Sequence, residues 1–289
     1  MPELAEVELA RRIWSPALGQ TVVSVHTHPK TRVFRDTPAV AIESALQGAK
    51  LIDSQSHGKR LLFTFQKKTE ILPLEVHLGM SGRLAVAGSE HETHKHDHLL
   101  IRFPDRTLIY NDYRQFGRAH LHDNPDPWAS LPPEVLDRRF TPRYVQQLLK
   151  KRPRTSLKAL ILDQSCFPGI GNWMADEICW RMGLHPATPT GQLDAASLRK
   201  ETQFVTRGAL RHVADKNEGL LADPSQGFAA GGYVSQVPPK SWLFQHRWQK
   251  GGHCPRCQSE LDRATIATRT TAWCPQCQRD SRKNVKAEA

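Results

Sequence analysis

The sequence lacks any apolar run that approaches the roughly 18 residues of a membrane-spanning helix. Its first residues, MPELAEVELARR, include three glutamates and no apolar signal region, so we expect no secretory signal peptide. Hydrophobic residues make up 39% and charged residues 24% of the 289 positions, a balance that argues against a disordered chain. These absences disfavour membrane, secreted and disordered proteins, and they predict a folded cytoplasmic protein with no membrane partner.

Acidic residues are scarce relative to basic ones. Twenty-nine Asp and Glu stand against forty Lys and Arg, which gives a formal net charge of +11. An excess of this size indicates a polyanionic partner, most often a nucleic acid. The alternative at this point is that the positive charge serves only solubility.

Cysteine is also scarce, but four of the six residues follow a pattern. Cys254 and Cys257 form one Cys-x2-Cys pair, and Cys274 and Cys277 form a second pair after a further sixteen residues. Four such cysteines can close a tetrahedral Zn(II) site, and four protein ligands leave no open coordination position. The pattern therefore predicts one structural zinc ion. Two disulfides are the alternative, which a reducing cytoplasm disfavours.

Hydrophobic periodicity divides the chain into an N-terminal β-rich part and a later helical part. Apolar residues recur at helical spacing over 3–14, short β-type segments follow between 21 and 122, and helical spacing returns after Thr141-Pro142. We expect an α+β multidomain protein. Its predicted segments are a β-rich domain (a sandwich or flattened barrel) over 1–125, a linker over 126–140, a helical domain over 141–240 with a mobile Gly- and Pro-rich loop over 217–240, a zinc finger over 241–280 and a basic tail over 281–289.

The N-terminus carries residues that suit amine chemistry. Pro2 follows the initiator Met, which is usually removed before so small a residue, and removal exposes a secondary amine. Such an amine can attack an aldehyde carbon and form an iminium ion. Glu3 and Glu6 share one face of the first helical turn and can move protons beside it. Ordinary helix capping explains the same three residues.

Four histidines, at 91, 94, 96 and 98, lie close together in the sequence. They are compatible with a second metal site or with a polar loop that runs into a strand. We favour the polar loop and expect no metal here.

Several short motifs follow one another along nearly the whole sequence. They are MPELAEVE at the N-terminus, HGKRL at 57–61, HLGMSG at 77–82, KHDH at 95–98, RQFG at 114–117, LILDQSCFPGIGNWMADEI at 160–178 and the four-cysteine finger with Arg269. Together, and in this order, these motifs resemble the formamidopyrimidine-DNA glycosylase / endonuclease VIII family. HLGMSG and RQFG are more similar to the formamidopyrimidine branch.

The resemblance implies a bifunctional base-excision repair enzyme. Its fold would be an N-terminal β-sandwich, a helix–two-turns–helix domain and a zinc finger, with damaged duplex DNA in the cleft between. The Pro2 amine would attack C1′ of a nucleotide flipped out of the duplex, and β,δ-elimination would follow from the Schiff base. Glu3 would act as general acid/base, Glu6 would support it, and Lys59 would neutralise a phosphate and assist proton transfer.

The resemblance also implies DNA-binding residues outside the reaction centre. One group would fill the gap left by the flipped nucleotide, and a second would hold phosphates. The first group is Met80, Arg114 and Phe116, and the second is Lys158, Asn172 and Arg269. No nucleotide cofactor is implied, zinc is the only metal expected, and we expect a monomer.

We expect removal of oxidised purines (8-oxoguanine and formamidopyrimidines). One alternative is an endonuclease VIII-like glycosylase for oxidised pyrimidines, and another is a non-catalytic protein that binds DNA damage. A zinc-ribbon adaptor explains the charge and the cysteines but not the N-terminus. Three departures from the family pattern bear on this choice: Ala5 replaces a usual Pro, Met174 replaces a common Tyr, and 217–240 is divergent.

Overall fold

The computed structural model describes residues 2–28, 30–216, 237–248 and 250–278. The chain forms two compact units, Met1–Leu131 with Ala214–Ser235 and Pro132–Val213 with Gln236–Ala289. The predicted mobile loop over 217–240, apart from its last four residues, and the predicted tail over 281–289 lie outside the described residues. Within the described part, no helix is both long and apolar enough to span a bilayer.

The described residues of the first unit form two four-stranded antiparallel sheets and two α-helices. One sheet has the order β1-β6-β7-β5, and the other has the order β2-β3-β4-β8. The elements are α1 (Leu4–Trp14), β1 (Ser24–Thr27), α2 (Ala39–Leu46), β2 (Lys50–His57), β3 (Arg60–Lys67), β4 (Glu70–His77), β5 (Arg83–Ala87), β6 (Asp97–Arg102), β7 (Thr107–Asn111) and β8 (Arg118–Leu121).

A single apolar core joins both sheets. Phe63 and Phe65 of β3, Leu99 and Ile101 of β6, and Trp14 of α1 are fully buried in the same cluster. Alternate residues of β3 face this core, as expected when one side of a strand is buried. The predicted β-sandwich with an N-terminal helix is confirmed.

Helix α2 corrects the interpretation of residues 21–122 as strands. The segment Ala39–Leu46 is helical, and Ile42 and Leu46 lie on its buried side. Their four-residue spacing is typical of one helix face. The helix follows Pro38, and Gly48 adopts φ +76° just beyond its end.

In the second unit, the described residues form helices that are followed by a β-hairpin. Thr141 caps its first helix, since its hydroxyl oxygen accepts a hydrogen bond from the Tyr144 backbone N–H at 3.1 Å. This confirms the helix start predicted at Thr141-Pro142. The elements are α3 (Pro142–Lys151), α4 (Leu157–Leu162), α5 (Asn172–Arg181), α6 (Ala195–Ala209) with a π-helical turn over Leu210–Ala214, β9 (Asp262–Ile266) and β10 (Arg269–Trp273).

Polar bonds attach helix α1 to strand β2. The Arg11 guanidinium donates to Ser54 Oγ at 2.9 Å, and Ser56 Oγ donates to Glu8 Oε2 at 2.8 Å. Arg11, the later helix residue, contacts Ser54, whereas the earlier residue Glu8 contacts Ser56, which lies further along β2. The helix therefore runs antiparallel to β2, and its N-terminus points toward the turn that follows His57.

Glu8 is the centre of this attachment. Its carboxylate also accepts hydrogen bonds from Arg11 Nη2 at 2.7 Å and Arg12 Nε at 2.9 Å. Burial raises the pKa of Glu8, but the hydrogen bonds from Arg11 and Arg12 outweigh burial and lower the pKa to about 2. The ionised form of Glu8 therefore stabilises the folded state.

We predict that Glu8→Gln destabilises the protein by about 2–3 kcal/mol at pH 7. Because the folded pKa lies below the unfolded one, this contribution is complete above about pH 4.5 and is lost as the pH falls toward 2. Urea unfolding of both proteins from pH 7 to pH 3 measures the difference, which should shrink with acid. Exposed Glu70→Gln is the control, and a pH-independent difference would contradict the assignment.

Candidate functional site

Pro2 and Glu3 lie at the start of α1. Pro2 is half-buried, and Glu3 is the N-cap residue, with 3% of its surface exposed. The Glu3 backbone N–H donates to Glu6 Oε2 at 3.1 Å as part of a capping box. The capping interpretation of Glu6 is thus confirmed. The capping box also fixes the backbone that follows Pro2.

Lys59 lies at the tip of the β2–β3 hairpin. His57 pairs with Arg60, so Gly58 and Lys59 form a two-residue turn. Gly58 adopts φ +61°, and a glycine at the first central position is typical of a type II′ turn. Since α1 runs antiparallel to β2, the structure brings Pro2, Glu3 and Lys59 to the same end of the first unit.

The loop after β4 and the loop after β7 meet at a buried carboxylate. Asp112 is fully buried. Its Oδ1 accepts hydrogen bonds from Ser81 Oγ and, at 3.3 Å, from the Arg114 N–H, while Oδ2 accepts from the Gly117 N–H at 2.7 Å. Asp112 thus holds the residue after Met80 and the backbone on either side of Phe116.

Close backbone packing keeps these two loops in contact. A Cβ on Gly79 would lie 2.5 Å from the backbone carbon of Phe116, so only glycine fits there. The Gly79 N–H donates to His77 Nδ1 at 3.0 Å. Burial lowers the pKa of His77, and Arg118 adds to this effect. The imidazole is then neutral and Nδ1 can accept the hydrogen bond.

The two loops present an exposed apolar group. Met80 is 48% exposed and Phe116 is 49% exposed. The Arg114 guanidinium lies over the Phe116 ring, 4.7 Å from its centroid. The structure therefore brings together the three residues predicted to enter the DNA, and it leaves them available to a ligand.

We predict that Asp112→Asn destabilises the protein by about 2–3 kcal/mol. The NH2 group of Asn cannot accept a hydrogen bond, so the donors that now bond to one of the two carboxylate oxygens would lose their acceptor. Urea unfolding measures the loss. Amide hydrogen exchange should also become faster at Arg114 and Gly117. Asp105→Asn, which changes an exposed carboxylate of the same unit, is the control. Unchanged stability and exchange would show that Asp112 does not hold the loops.

Lys158 corrects the sequence-based prediction of a phosphate contact. Its side chain is fully buried, and its Nζ donates to Asp176 Oδ1 at 2.5 Å and to Thr271 Oγ1 at 2.7 Å. Burial lowers the pKa of Lys158, although Asp176 opposes this effect. A cation with no exposed surface cannot meet a phosphate, so Lys158 serves the interior of the second unit.

Asp176 and Arg247 complete this buried network, and sequence reasoning missed both. Arg247 Nη2 donates to Asp176 Oδ2 at 2.6 Å, and the Ala272 backbone N–H donates to the same oxygen at 3.2 Å. The signal was available, because Asp176 stands among apolar residues of a helix (WMADEICW), where a carboxylate needs a partner. The network joins α4, α5 and β10.

Asn172 and Arg269 lie close together in the second unit. Asn172 is the first residue of α5, and its Nδ2 donates to the Thr270 backbone oxygen at 2.9 Å. Arg269, the residue before Thr270, is exposed at the start of β10. A helix N-terminus and an exposed guanidinium form an arrangement that suits an anion.

The four cysteines predicted to bind zinc meet beside the β9–β10 hairpin. Their Sγ atoms lie 3.4 Å apart for Cys257–Cys274, 3.5 Å for Cys257–Cys277 and 4.0 Å for Cys254–Cys277. These separations exceed the roughly 2.05 Å of a disulfide. They match the edge of a tetrahedron with Zn–S bonds of about 2.3 Å, which is about 3.8 Å. The cluster fits one structural Zn(II).

The zinc cluster is also tied to α5. The Trp180 indole N–H donates to Cys254 Sγ at 3.3 Å. Such a contact orients a ligand from outside the coordination sphere.

We predict that Cys257→Ser lowers zinc retained through gel filtration with a weak chelator from one ion per chain to none. Loss of one thiolate opens the site and weakens the remaining coordination. Elemental analysis measures the zinc. Cys166→Ala, which removes a cysteine outside the cluster, should keep one ion. Full retention by Cys257→Ser would exclude the four-cysteine site.

Family models match most of the chain. The formamidopyrimidine-DNA glycosylase N-terminal domain matches residues 1–119, and the formamidopyrimidine-DNA glycosylase H2TH domain matches residues 131–215. The formamidopyrimidine-DNA glycosylase of Chloroflexus aurantiacus is 33% identical over 284 residues, covering 96% of this chain and 98% of that protein. The Brevibacillus brevis enzyme of the same name is 32% identical, covering 97% and 100%.

Solved structures agree with these matches. Lactococcus lactis Fpg in complex with DNA that contains an abasic site is 26% identical, with a TM-score of 0.77, covering 96% of this chain and 100% of that one. MutM in complex with DNA that contains carbocyclic 8-oxo-G is 25% identical, with a TM-score of 0.79 and the same coverage. The chain belongs to the formamidopyrimidine-DNA glycosylase family.

Proposed function

We propose that the chain is a bifunctional DNA glycosylase and AP lyase that removes oxidised purines from duplex DNA. The observation that carries this proposal is the shared position of the start of α1 and the Lys59 hairpin at one end of the first unit. An amine, a buried carboxylate and a lysine there provide a nucleophile, a proton donor and a phosphate partner.

The proposed reaction starts from the Pro2 amine, once Met1 is removed. Its nitrogen attacks C1′ of a flipped-out nucleotide, the C1′–N bond breaks with its electron pair on the base, and Glu3 supplies a proton. Loss of the N–H proton leaves a neutral N,O-acetal at C1′. The C1′–O4′ bond then breaks as Glu3 returns a proton to O4′, and the nitrogen lone pair forms the C=N bond of a ring-opened iminium ion. Successive β- and δ-elimination then releases the phosphates on both sides of the sugar.

Other residues act by position in this proposal. Lys59 neutralises a phosphate beside the lesion, and Glu6 keeps the start of α1 in place through its bond to the Glu3 backbone. Met80, Arg114 and Phe116 enter the space left by the flipped nucleotide, which their exposure supports. Asn172 and Arg269 hold a further phosphate.

Oxidised purines are the proposed substrates because the exposed Met80, Arg114 and Phe116 belong to motifs similar to the formamidopyrimidine branch. MutM, a structural neighbour, binds DNA with an 8-oxo-G analogue. We further propose a monomer that works on chromosomal DNA in the cytoplasm without a nucleotide cofactor. One chain supplies every side chain in the scheme.

Borohydride reduction of the iminium ion tests the mechanism. We expect wild-type protein to form a covalent adduct with duplexes that carry 8-oxoguanine or an abasic site. We expect Pro2→Gly to lose roughly tenfold or more of it, because the ring amine and its fixed φ are gone. Binding of the variant to an uncleavable abasic analogue should remain, which controls for folding.

The other outcomes separate the alternatives. An adduct on thymine glycol duplexes that equals the one on 8-oxoguanine would remove the purine preference in favour of an endonuclease VIII-like activity. Tight binding to the abasic analogue without any adduct would identify a damage-binding protein that lacks excision.

A further inference from the structure

The connection between β5 and β6 brings together three potential metal ligands. The ligand atoms of His91, His94 and Asp97 all lie within 4.8 Å of one another. His91 Nε2 lies 3.1 Å from Asp97 Oδ2, and the two imidazole rings are 5.1 Å apart between centroids. These residues come from the histidine-rich stretch for which the sequence favoured a simple polar loop.

The structure separates the remaining histidines of this stretch from the group. His98 Nε2 lies 2.8 Å from the Asp112 backbone oxygen, and the His96 ring lies beside Tyr113, 6.5 Å between centroids. The stretch therefore contains a defined group of two imidazoles and one carboxylate. The other two histidines contact the loop that follows β7.

The group is held in place by its surroundings. Asp97 is fully buried, and its Oδ1 accepts a hydrogen bond from Asn111 Nδ2 at 2.8 Å. The His94 backbone N–H donates to Asp97 Oδ2 at 2.9 Å. Arg102 Nη2 donates to the His91 backbone oxygen at 2.8 Å. The carboxylate and the backbone of both histidines are thus fixed, as in metal sites whose ligands are oriented by neighbouring groups.

The chemistry of the group suits a divalent transition ion. Two ligand atoms about 2.1 Å from one metal lie about 3.0–3.4 Å apart in octahedral or tetrahedral geometry, and the His91–Asp97 separation of 3.1 Å falls in this range. His94 is exposed, so its ring can turn to complete the set. Three protein ligands leave coordination positions open to water.

We propose that His91, His94 and Asp97 form a second metal site that takes Zn²⁺ or a similar divalent transition ion. It is distinct from the four-cysteine site, which lies in the other unit.

The proposed metal site lies next to the loop that carries Arg114 and Phe116, so metal binding would affect the rigidity of that loop. Asn111 orients Asp97, and the Asp112 N–H donates to the His96 backbone oxygen at 3.1 Å. A bound ion thus stiffens the support of that loop.

Metal stoichiometry tests this proposal on the full-length, zinc-loaded protein. After equilibrium dialysis at micromolar free Zn²⁺, we expect about two ions per wild-type chain. His94→Ala and the double variant His91→Ala/His94→Ala should bind one. His96→Ala is the matched control, because it removes a histidine two positions away from His94 and outside the triad, and it should bind two. Thermal unfolding confirms that each variant is folded.

Cobalt distinguishes the two sites by spectroscopy. Co²⁺ bound to thiolates has an intense charge-transfer absorption that a site of two histidines and one carboxylate lacks. We expect His94→Ala to keep this absorption while losing one ion. One ion per wild-type chain at micromolar Zn²⁺, or two in the double variant, would overturn the proposal.

Discussion

The proposed chemistry of this protein depends on holding a chain end in one place. The first residues of a chain are ordinarily among its most mobile, because few contacts restrain them. Here the helix that directly follows Pro2 is fastened to β2 through Glu8 and Arg11. An ordered terminal amine can meet a substrate carbon without first losing conformational entropy. The position of Lys59 relative to that amine follows from the same attachment.

Buried carboxylates organise both units in a similar way. Asp112 collects two backbone N–H groups and a hydroxyl in the first unit. Asp176 collects a lysine, an arginine and a backbone N–H in the second. A buried charge is costly unless it is paired and hydrogen-bonded. Each carboxylate therefore fixes the segments that supply its partners, and those segments carry the exposed residues of the proposed DNA contacts.

Lys158 shows how a family can be recognised correctly while the role of one residue is not. The family motif over 160–178 begins two residues after Lys158, and the chain belongs to that family. The side chain, however, is directed into the interior, where Asp176 neutralises it. Met174, which replaces a common Tyr of the family, is also fully buried. The proposed phosphate contacts in this unit therefore rest on half-buried Asn172 and exposed Arg269.

The sequence by itself determined features that depend on short-range rules. Thr141 caps its helix as predicted, since capping needs only a hydroxyl and the next few backbone N–H groups. The cysteine spacing likewise defined the zinc site, because each Cys-x2-Cys pair forms within one turn. The four-residue spacing of Ile42 and Leu46 also indicates helix α2 by a short-range rule. This region was nevertheless assigned to strands from the sequence.

Only the tertiary structure decided which distant residues meet. It paired Lys158 with Asp176, placed Asp112 between two loops, and selected His91, His94 and Asp97 from a run of similar residues. Spacing along the chain cannot determine such pairs, because they arise from the packing of separate elements and from the need of each buried charge for a partner. Helix caps and Cys-x2-Cys turns depend on residues close together in the sequence, whereas the neighbours of a buried group depend on the whole fold.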